Sequence, residues 1–515
     1  MSTFAWRSAV EELVARGEAL PAAAGHGTRT YYADLHAPRG RRHVRVCAGT
    51  GCLAASGGAH VVSVERALGV RTGACSPDGA VSLQEVRCVG YCYAGPAALD
   101  DDLPCAGPNL ADQLTGKSPR VDPEVPVCSP GPRLLLREPP GSRAWQIWQE
   151  AVSRPGAAAA IRDEVGRARL RGRGGAGFPA ASKWSAVASH PGPRFVVANG
   201  DEGDPGSFAD RLLMERDPAL VLEGLALAGL ACGAARGFVY VRSEYPRARA
   251  ALVRAVASAR AAGHLGADVH SSGVDFDVAV VSGHGSYVAG EETSLLRSIV
   301  GLRGTVHPRP PYPVQKGLSG RPTAVNNVET LAAVPGIVAA GGAAYARLGD
   351  PQETGTMLVS LGQRFARPGA YEVELGTPLR TIVEDLGGGV AGGSRLRALQ
   401  VGGPLGGFLG PDQLDVPLLE SALAGLGVSL GHGGLVAIDD TVSRDRLLAH
   451  VWRFGAAESC GACTPCREGT RRGARDPGGA SEDRPLLSLM EQASLCAFGR
   501  RLPAAIRSLT ALRWN

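Results

Sequence analysis

Short apolar runs alternate with longer helical segments through the middle of the chain. The β-type runs and the helical segments lie, in order, at 195–198, 218–235, 238–241, 246–262 and 276–281. Asp217-Pro218 supplies an N-cap and a first-turn proline for the first of these helices. Alternation at this spacing predicts a mostly parallel sheet with covering helices.

The N-terminal region carries a different pattern. Valine-rich runs at 44–46, 61–64 and 81–83 alternate with cysteine loops and one short helix, which predicts a small α/β layer. A polar, basic lead-in with a helical stretch at 5–16 precedes this layer. The many prolines of 103–143 predict a linker, because proline stiffens a chain without forming a core.

Two further units are expected C-terminal to the sheet. The β-type runs at 357–361 and 371–373 and the glycine turn at 401–407 predict a second α/β unit. The last part of the chain has a helical pattern around a group of cysteines. For 515 residues, a prior of ~150 residues per domain suggests three or four domains.

Composition narrows the class of protein. The net charge of +5 comes from scattered arginines, so nothing favours nucleic-acid binding, and the 44% of apolar residues excludes a disordered chain. The longest apolar stretch, 224–235, is shorter than the ~20 residues that cross a bilayer, so no membrane span is predicted. Cysteines that are grouped by motif, without a recognisable secretory signal, predict a cytoplasmic location.

Four C-terminal cysteines form the most informative motif. Cys460, Cys463 and Cys466 crowd one short loop, and Cys496 follows thirty residues later. Three thiolates from one loop and a distant fourth are typical of a 4Fe-4S cluster. A zinc site is the alternative, although structural zinc prefers two separated Cys-x-x-Cys pairs.

Two cysteine pairs near the N-terminus suit a 2Fe-2S cluster. Cys47 and Cys52 form the first pair, and Cys88 and Cys92 form the second. Two separated pairs are also a zinc-like arrangement, and a disulfide framework is a weaker alternative without a secretory signal. The other cysteines, Cys75, Cys105, Cys128 and Cys232, belong to neither set.

A glycine-rich loop at 170–179 could let backbone N–H groups approach a phosphate. It reads Leu-Arg-Gly-Arg-Gly-Gly-Ala-Gly-Phe-Pro, and Arg171, Arg173 and Lys183 supply positive charge. A glycine-arginine turn on the surface would look similar. The loop alone therefore leaves both interpretations open.

Three further segments add candidate ligand groups. Asn199, Asp201 and Glu202 follow a predicted strand directly, where open α/β sheets bind ligands. The adjacent carboxylates Glu291-Glu292 open a helix and could instead complement its dipole. The paired amides Asn326-Asn327 could hydrogen-bond a ring edge or ribityl hydroxyls, or cap a turn.

These motifs together resemble the NADH-binding flavoprotein subunit of respiratory complex I and the related diaphorase subunits of NAD-dependent formate dehydrogenases and NAD(P)-linked hydrogenases. The resemblance covers about 145–510 through Arg-Gly-Arg-Gly-Gly-Ala-Gly-Phe-Pro, Gly-Glu-Glu-Thr, Asn-Asn-Val-Glu-Thr and Ser-Cys-Gly-Ala-Cys-Thr-Pro-Cys-Arg. The N-terminal Cys-Ala-Gly-Thr-Gly-Cys and Cys-Val-Gly-Tyr-Cys loops are similar to the thioredoxin-like 2Fe-2S domain of the 24-kDa-type subunit. Such a fusion is more similar to the hydrogenase and formate dehydrogenase diaphorases than to most complex I subunits.

The resemblance implies an α/β multidomain protein. The expected parts are a helical lead-in at 1–43, a thioredoxin-like 2Fe-2S domain at 44–105, a proline-rich linker at 106–144, a Rossmann-like FMN- and NADH-binding domain at 145–350, a ubiquitin-like (SLBB-type) α/β domain at 351–412, and a C-terminal helical bundle with the 4Fe-4S cluster at 413–515.

The resemblance also implies the roles of individual residues. The FMN would be held by Gly172, Arg173, Gly174, Lys183, Asn199, Asp201, Tyr287, Gly290, Glu291, Asn326, Asn327 and Thr330. Phe178 would stack on the adenine, while Glu202 and Glu292 would lie near the nicotinamide and ribose as the catalytic pair. Asp204, Arg309 and Tyr312 depart from the residues usual in the family.

The implied activity is electron transfer between NAD(H) and iron–sulfur clusters. A nicotinamide gives two electrons as hydride and a cluster accepts one, so a flavin must stand between them. The expected role is a diaphorase subunit within a formate dehydrogenase, hydrogenase or complex I-like enzyme, with other iron–sulfur and catalytic subunits (24-kDa-type and 75-kDa-type, or formate dehydrogenase alpha-like) as partners. The alternative is a non-catalytic electron-transfer or assembly subunit with the same fold.

Overall fold

The computed structural model describes residues 22–138 and 144–514. They form two compact units. The first comprises the residues up to Leu35, Gly131–Glu202 and Asp210–Met357, and the second comprises His36–Pro130, Gly203–Ala209 and the chain from Leu358 onward. The helix predicted at 5–16 lies outside the described residues.

A four-stranded parallel sheet forms the centre of the first unit. The strands, in spatial order, are Thr323–Asn327, Phe195–Gly200, Arg236–Val241 and Asp277–Ser282. Every neighbouring pair is parallel, which confirms the sheet predicted from the alternating pattern. The carboxyl ends of the strands therefore share one edge, where open α/β sheets bind their ligands.

Helices surround this sheet. Asp217 caps the buried helix Pro218–Cys232 by accepting a hydrogen bond from the Leu220 amide at 3.0 Å, as its sequence predicted. The other helices and helical turns are Ala22–Tyr31, Ala33–His36, Gln146–Val152, Ala157–Arg167, Ala180–Ser189, Ala209–Arg216, Pro246–Ala261, Val269–Ser271, Tyr287–Gly290, Glu292–Ile299, Pro313–Lys316, Leu318–Gly320, Val328–Ala340 and Gly342–Tyr345.

The second unit begins with a five-stranded mixed sheet. Its strands, in spatial order, are Ala74–Cys75, Val81–Val86, Arg42–Cys47, Ala97–Asp100 and Leu103–Ala106, and its helices are Thr50–Ser56, His60–Leu68 and Leu110–Leu114. The valine-rich run at 61–64 lies in the helix His60–Leu68, whereas the runs at 44–46 and 81–83 lie in strands. Val64 is buried in the core while Val62 is 54% exposed, so the apolar positions follow a helical face.

A six-stranded sheet follows in the second unit. Its strands, in spatial order, are Gly407–Leu409, Ala398–Val401, Gly434–Ile438, Thr356–Leu361, Gly369–Glu374 and Val127–Cys128. The sheet thus continues beyond residue 412, where the sequence placed a domain boundary, and takes a short strand from the segment expected to be a linker. Short helical turns of this region are Thr381–Leu386, Ala391–Gly393, Pro411–Gln413 and Glu420–Ala424.

The C-terminal part is helical, as predicted. Its helices are Arg444–Glu458, Thr464–Arg475, Pro477–Glu482, Arg484–Ala493 and Ala497–Ala511. Trp452 and Phe454 are buried at the centre of this bundle. Among the described residues, none of the helices has the length and apolar character needed to cross a membrane.

The N-terminal mixed-sheet domain packs directly on the first of these C-terminal helices. The Thr50 hydroxyl and His450 Nε2 are 3.2 Å apart in a buried hydrogen bond. Arg87 Nε and Glu458 Oε1 form an ion pair at 3.6 Å. Burial lowers the pKa of His450 to about 3, with help from the charges of Arg87, Arg453 and Arg446, so the ring is neutral at physiological pH.

The packing of two helices in the first unit provides a test of this fold. A Cβ at Gly224 would collide with the backbone carbonyl of Leu331 on the neighbouring helix, whereas a Cβ at Gly336 would meet nothing within 4 Å. We expect Gly224→Ala to destabilise the protein by about 1–3 kcal/mol because backbone must move. Gly336→Ala, the matched control, should be neutral or stabilising by up to about 1 kcal/mol. Urea unfolding midpoints measure both, and equal midpoints would contradict the close helix contact.

Candidate functional site

The glycine loop of the first unit is a closed turn. The Gly172 amide donates to the Phe178 carbonyl at 3.0 Å, and Arg171 bridges to Pro179 across the turn. Gly175 and Gly177 have φ of +86° and +60°, which favours glycine at both positions. The helix Ala180–Ser189 starts directly after the loop. A glycine-rich loop ahead of a helix N-terminus has the properties of a phosphate-binding turn.

Arg173 is turned into the protein and holds this loop in place. Its side chain is buried, and one guanidinium nitrogen lies 2.8 Å from the Thr354 carbonyl and 3.2 Å from the Tyr345 hydroxyl. Its amide donates to the Thr330 hydroxyl at 2.9 Å. The structure therefore brings Arg173 and Thr330 together, as the site prediction requires, but it gives the Arg173 side chain protein partners.

Lys183 connects the glycine loop to the acidic helix start. Its Nζ donates to the Val325 carbonyl at 2.7 Å and lies 3.6 Å from Glu292 Oε2. Arg309 also donates to Glu292, at 2.7 Å. Phe178, at the end of the glycine loop, is 53% exposed, so one face of its ring is open for stacking. Lys183 Nζ also lies 6.0 Å from the centre of the Phe178 ring, so Lys183 is near both of the other predicted site residues.

The ends of two adjacent strands present amide side chains. Asn199 lies one residue before the end of its strand and pairs in register with Asn327, the last residue of the parallel neighbour. Asn199 Nδ2 donates to the Gly290 carbonyl at 2.9 Å, which joins this strand end to the 283–290 loop. Asn326 accepts from Trp184 Nε1 at 3.2 Å, while its own buried Nδ2 has no hydrogen-bond partner. A buried, unsatisfied donor at this edge fits a ligand acceptor such as a flavin or ribityl oxygen.

Asn327 caps a helix, which is one of the two roles that its sequence allowed. Its Oδ1 accepts from the Thr330 amide at 3.1 Å at the start of the helix Val328–Ala340, and its Nδ2 donates to Asp210 at 2.6 Å. A contact of Asn327 with flavin stays a prediction. Through Thr330, this cap also supports the amide of Arg173 in the glycine loop.

Glu202 is fully buried, and its carboxylate closes the base of a loop. The two carboxylate oxygens accept from the amides of Asp210 at 3.1 Å and Arg211 at 3.0 Å. The Glu202 carbonyl accepts from Arg242 at 2.5 Å and from the Tyr245 hydroxyl at 3.2 Å. These contacts give Glu202 a positioning role. Its predicted contact with nicotinamide is not part of the observed arrangement and stays a prediction.

The loop that leads to the acidic pair depends on a close backbone approach. Tyr287–Gly290 forms a helical turn, and a Cβ at Gly290 would lie 3.1 Å from the Asp201 carbonyl. Glu291 is the N-cap of the next helix and accepts from the amides of Thr293 at 2.9 Å and Ser294 at 3.1 Å. Glu291 therefore complements the dipole of this helix, which was one of the two interpretations of its sequence. Glu292, beside it, is partly exposed.

A short N-terminal segment braces the same loop, and no pattern in the sequence indicates it. The Tyr31 hydroxyl lies 3.0 Å from Ser286 Oγ and donates to the Gly304 carbonyl at 2.7 Å. The Ala33 amide donates to the Gly285 carbonyl at 3.2 Å. A tyrosine in a polar lead-in has no feature that distinguishes a brace from an ordinary surface residue.

The four N-terminal cysteines of the second unit converge in a buried pocket. Cys88 and Cys92 have their sulfurs 3.5 Å apart. Hydrogen bonding to Cys52 and Cys88, followed by burial, raises the pKa of Cys47 well above its usual value. A Cβ at Gly95 would lie 3.4 Å from the Cys52 sulfur, so glycine leaves room beside the thiols. Four crowded, buried thiols of this kind fit a cationic iron–sulfur core, which favours their ionised form.

The four C-terminal cysteines also come together. Burial, followed by the neighbouring sulfurs of Cys463, Cys496 and Cys460, raises the pKa of Cys466 to about 12. A Cβ at Gly499 would lie 2.8 Å from the Cys466 Cβ, so this helix approaches the thiols closely.

Two arginines hold the loops that carry these cysteines. Arg467 donates to the Gly461 carbonyl at 2.7 Å, and Arg500 donates to the Ser494 carbonyl at 2.6 Å. Positive charge therefore lies beside both cysteine loops, where four thiolates would otherwise repel one another.

The remaining cysteines are placed differently, and no disulfide joins any of the twelve, all of which lie in the described part of the chain. Cys128 is exposed, and burial raises the pKa of Cys232 to about 12, as expected for a small core residue. Within residues 22–138 and 144–514, no three His, Cys, Asp or Glu side chains are grouped for a single metal ion. The assignment of the two cysteine sets to iron–sulfur clusters therefore rests on how close the thiols of each set lie to one another.

Three family models match the chain. The "Nuo51 FMN-binding domain" matches residues 165–336, the "Thioredoxin-like [2Fe-2S] ferredoxin" matches 5–107, and the "NADH-ubiquinone oxidoreductase-F iron-sulfur binding region" matches 446–512. These matches confirm the predicted FMN, 2Fe-2S and 4Fe-4S cofactors and favour them over zinc. They also confirm the predicted multidomain α/β fold class.

Similar proteins come from two kinds of enzyme. The NADP-reducing hydrogenase subunit HndC of Solidesulfovibrio fructosivorans is 39% identical over 361 residues, which cover 68% of this chain and 74% of that protein. The F subunit of the NADH-quinone oxidoreductase of Escherichia coli (strain K12) is 40% identical over 311 residues, covering 60% and 70%. A crystal structure of an NAD+-reducing [NiFe]-hydrogenase in the H2-reduced state matches with a TM-score of 0.84 and 32% identity, over 98% of this chain and 88% of that one.

The contacts of the Tyr31 hydroxyl with Ser286 and Gly304 can be tested by substitution. We expect Tyr31→Phe to raise the KM for NADH about fivefold to tenfold, because it removes two hydrogen bonds to the segments around the 283–290 loop, each worth about 0.5–1.5 kcal/mol. Thr30→Ala is the matched control, since the Thr30 hydroxyl donates to His26 within its own helix. Steady-state kinetics of NADH-driven dye reduction measure both variants. Equal KM values would contradict the bracing role.

Proposed function

Because this chain belongs to the family of flavoprotein subunits that includes the F subunit of NADH-quinone oxidoreductase and the hydrogenase subunit HndC, we propose that its first unit binds NAD(H) next to FMN and that its cysteine sites carry the electrons away. The chain is an oxidoreductase subunit with FMN and iron–sulfur domains. The observation that supports the proposal best is Lys183, which follows the glycine loop, pairs with Glu292 and donates to the Val325 carbonyl of the parallel sheet.

Bound FMN supplies the conversion between a two-electron hydride donor and one-electron carriers. The residues of this chain do the rest by binding and orientation. Gly172 and Gly174 let the loop backbone approach the phosphate, with Lys183 as the nearby cation. The unsatisfied Asn326 Nδ2 and the side chains of Asn199 and Asp201 face the strand-end edge, where they would hold the ring and the ribityl chain.

The proposed flavin contacts also come from the 283–290 loop. Gly290 allows the backbone of this loop to lie against Asp201, and Tyr287 stands in the same helical turn. Glu291, fixed as an N-cap, would present its remaining carboxylate surface to the flavin side. Arg173, Asn327 and Thr330 act through the loop that they support.

The proposed nucleotide contacts lie on the more exposed side. Phe178 offers an open ring face on which an adenine could stack. Glu292 is held by Lys183 and Arg309 at the start of a helix, where its carboxylate could accept from ribose hydroxyls. Glu202 fixes the backbone beneath this region from its buried position.

The proposed cluster ligands are the two sets of four cysteines, with Cys460, Cys463, Cys466 and Cys496 for the 4Fe-4S cluster and Cys47, Cys52, Cys88 and Cys92 for the 2Fe-2S cluster. The similar proteins are named as subunits, and this chain accordingly would deliver electrons to, or accept them from, other iron–sulfur and catalytic subunits in the cytoplasm. The hydrogenase structure, which covers nearly the whole chain, favours a hydrogenase-type complex among these partners.

Cofactor content tests the cysteine assignment. The purified chain, handled without oxygen, should hold one FMN and about six iron atoms, as one 4Fe-4S and one 2Fe-2S cluster require. Cys463→Ala should lose about four of them and Cys88→Ala about two, while NADH still bleaches the flavin in both variants. The control, Cys128→Ala, removes an exposed cysteine outside both sets and should keep the full content. Zinc without acid-labile sulfide would refute the assignment.

The role of Glu292 can be separated from flavin binding. We expect Glu292→Gln to raise the KM for NADH about tenfold or more, because a charged hydrogen bond is worth about 1.5–3 kcal/mol, and to leave FMN stoichiometry unchanged. Glu384→Gln is the matched control, since Glu384 is also an arginine-paired carboxylate but lies in the second unit. Stopped-flow flavin reduction and flavin absorbance measure the two quantities. Flavin loss in Glu292→Gln would show that this residue belongs to the FMN site.

A further inference from the structure

A short segment, Gly203–Ala209, continues directly from Asn199, Asp201 and Glu202 but belongs to the second compact unit. We call it the strap. Its base is closed by the Glu202 carboxylate, which accepts from the amides of Asp210 and Arg211 just after the strap. The strap is therefore a closed loop whose first residue follows the proposed flavin and nucleotide residues along the chain.

The strap contacts the proposed 2Fe-2S site. The Gly206 amide donates to the Cys92 sulfur at 3.3 Å in a buried hydrogen bond. Gly206 has φ of +117°, and a Cβ there would lie 2.9 Å from Val436 Cγ2, so only glycine fits this pose without strain. A Cβ at Gly49 would lie 2.9 Å from the Pro205 side chain, which shows how closely the strap covers the loop between Cys47 and Cys52.

Separate anchors hold the strap in this position. Asp204 Oδ2 and His432 Nδ1 are 2.7 Å apart, and the Ser207 hydroxyl donates to the His432 carbonyl at 3.2 Å. The Phe208 amide donates to Ser360 Oγ at 3.2 Å. Because anchors flank Gly206 on both sides, the direction of its N–H is fixed by the fold.

A hydrogen bond to a cysteine sulfur affects the energy of a cluster. One-electron reduction adds negative charge to the iron–sulfur core and its thiolates, and an N–H donor stabilises that charge, so the bond raises the reduction potential. The established cofactors of this chain do not require such a bond. A role in tuning the cluster would explain why the strap that donates this bond is held by separate anchors.

We propose that the strap is a positioning element that raises the reduction potential of the N-terminal cluster through the Gly206 amide. The inference rests on the proposed function and on Cys92 as a ligand.

The first experiment is a redox titration of the full chain with dithionite, followed by the EPR signal of the 2Fe-2S cluster. His432→Ala removes the side-chain anchor of Asp204 and loosens the Gly206 bond. At the midpoint potential of the wild type, the ratio of reduced to oxidised cluster in His432→Ala should be several-fold lower than in the wild type, up to about tenfold. A tenfold change corresponds to a lowering of the midpoint potential by ~59 mV for one electron. His432→Gln, which retains a side-chain donor, should restore the ratio to within about twofold of wild type.

Thr50→Val is the control for general disturbance of the domain. It removes the buried hydrogen bond to His450 and leaves the strap contacts in place, so its ratio should stay within about twofold of wild type. If His432→Ala and the wild type have the same midpoint potential, the tuning role is overturned. Equal shifts in His432→Ala and Thr50→Val would overturn its assignment to the strap.

The second measurement is the 2Fe-2S EPR signal of the dithionite-reduced wild type itself. If the wild type has no 2Fe-2S signal at all, the ligand assignment fails, which separates failure of the proposed function from failure of the strap.

Discussion

The buried carboxylate of Glu202 is the interaction on which the rest of the first unit depends. It accepts from the first amides of the helix Ala209–Arg216, so a negative charge meets the positive end of a helix. Arg242 donates to the carbonyl of the same residue and pairs with Glu244 inside the protein. A buried charge is stable only when its partners are all in place. This network therefore fixes the backbone that presents Asn199 and Asp201 at the sheet edge, and it fixes the base of the strap as well.

The cysteine sites obey a different constraint. Burial disfavours the thiolate form, and thiolates that share one pocket also repel one another, which is why the pKa of Cys466 rises to about 12. The protein compensates only partly, through the backbone contacts of Arg467 and Arg500 at the loops. Most of the compensation must come from the bound iron. Folding of these loops and cluster binding are for that reason expected to be coupled.

The sequence predicted the elements whose patterns are local. Strands and helices of the parallel sheet follow from alternating apolar runs, and both cysteine sets follow from spacing, because neither depends on distant residues. The helix His60–Leu68 contains three valines, which favour strands, but packing of Val64 in the core of this domain overrides that preference. The brace by Tyr31, the burial of Glu202 and the contact of Gly206 with Cys92 join residues far apart in sequence, and a single sequence carries no signal for such contacts.

Contacts between residues that are far apart in the sequence also fix the position of the N-terminal domain within the second unit. A proline-rich segment after the cysteine loops predicted a linker between this domain and the rest of the chain. Instead, the domain is fixed within the second unit by the buried pair Thr50–His450, by the ion pair of Arg87 and Glu458, and by the strap. Arg87 precedes Cys88, and Glu458 lies two residues before Cys460. The domain is thus bound directly to the helix that leads into the C-terminal cysteine loop, and this contact holds the two cysteine sites at a fixed separation. The proline-rich segment is part of the same packing, because Val127–Cys128 pairs with the strand Gly369–Glu374.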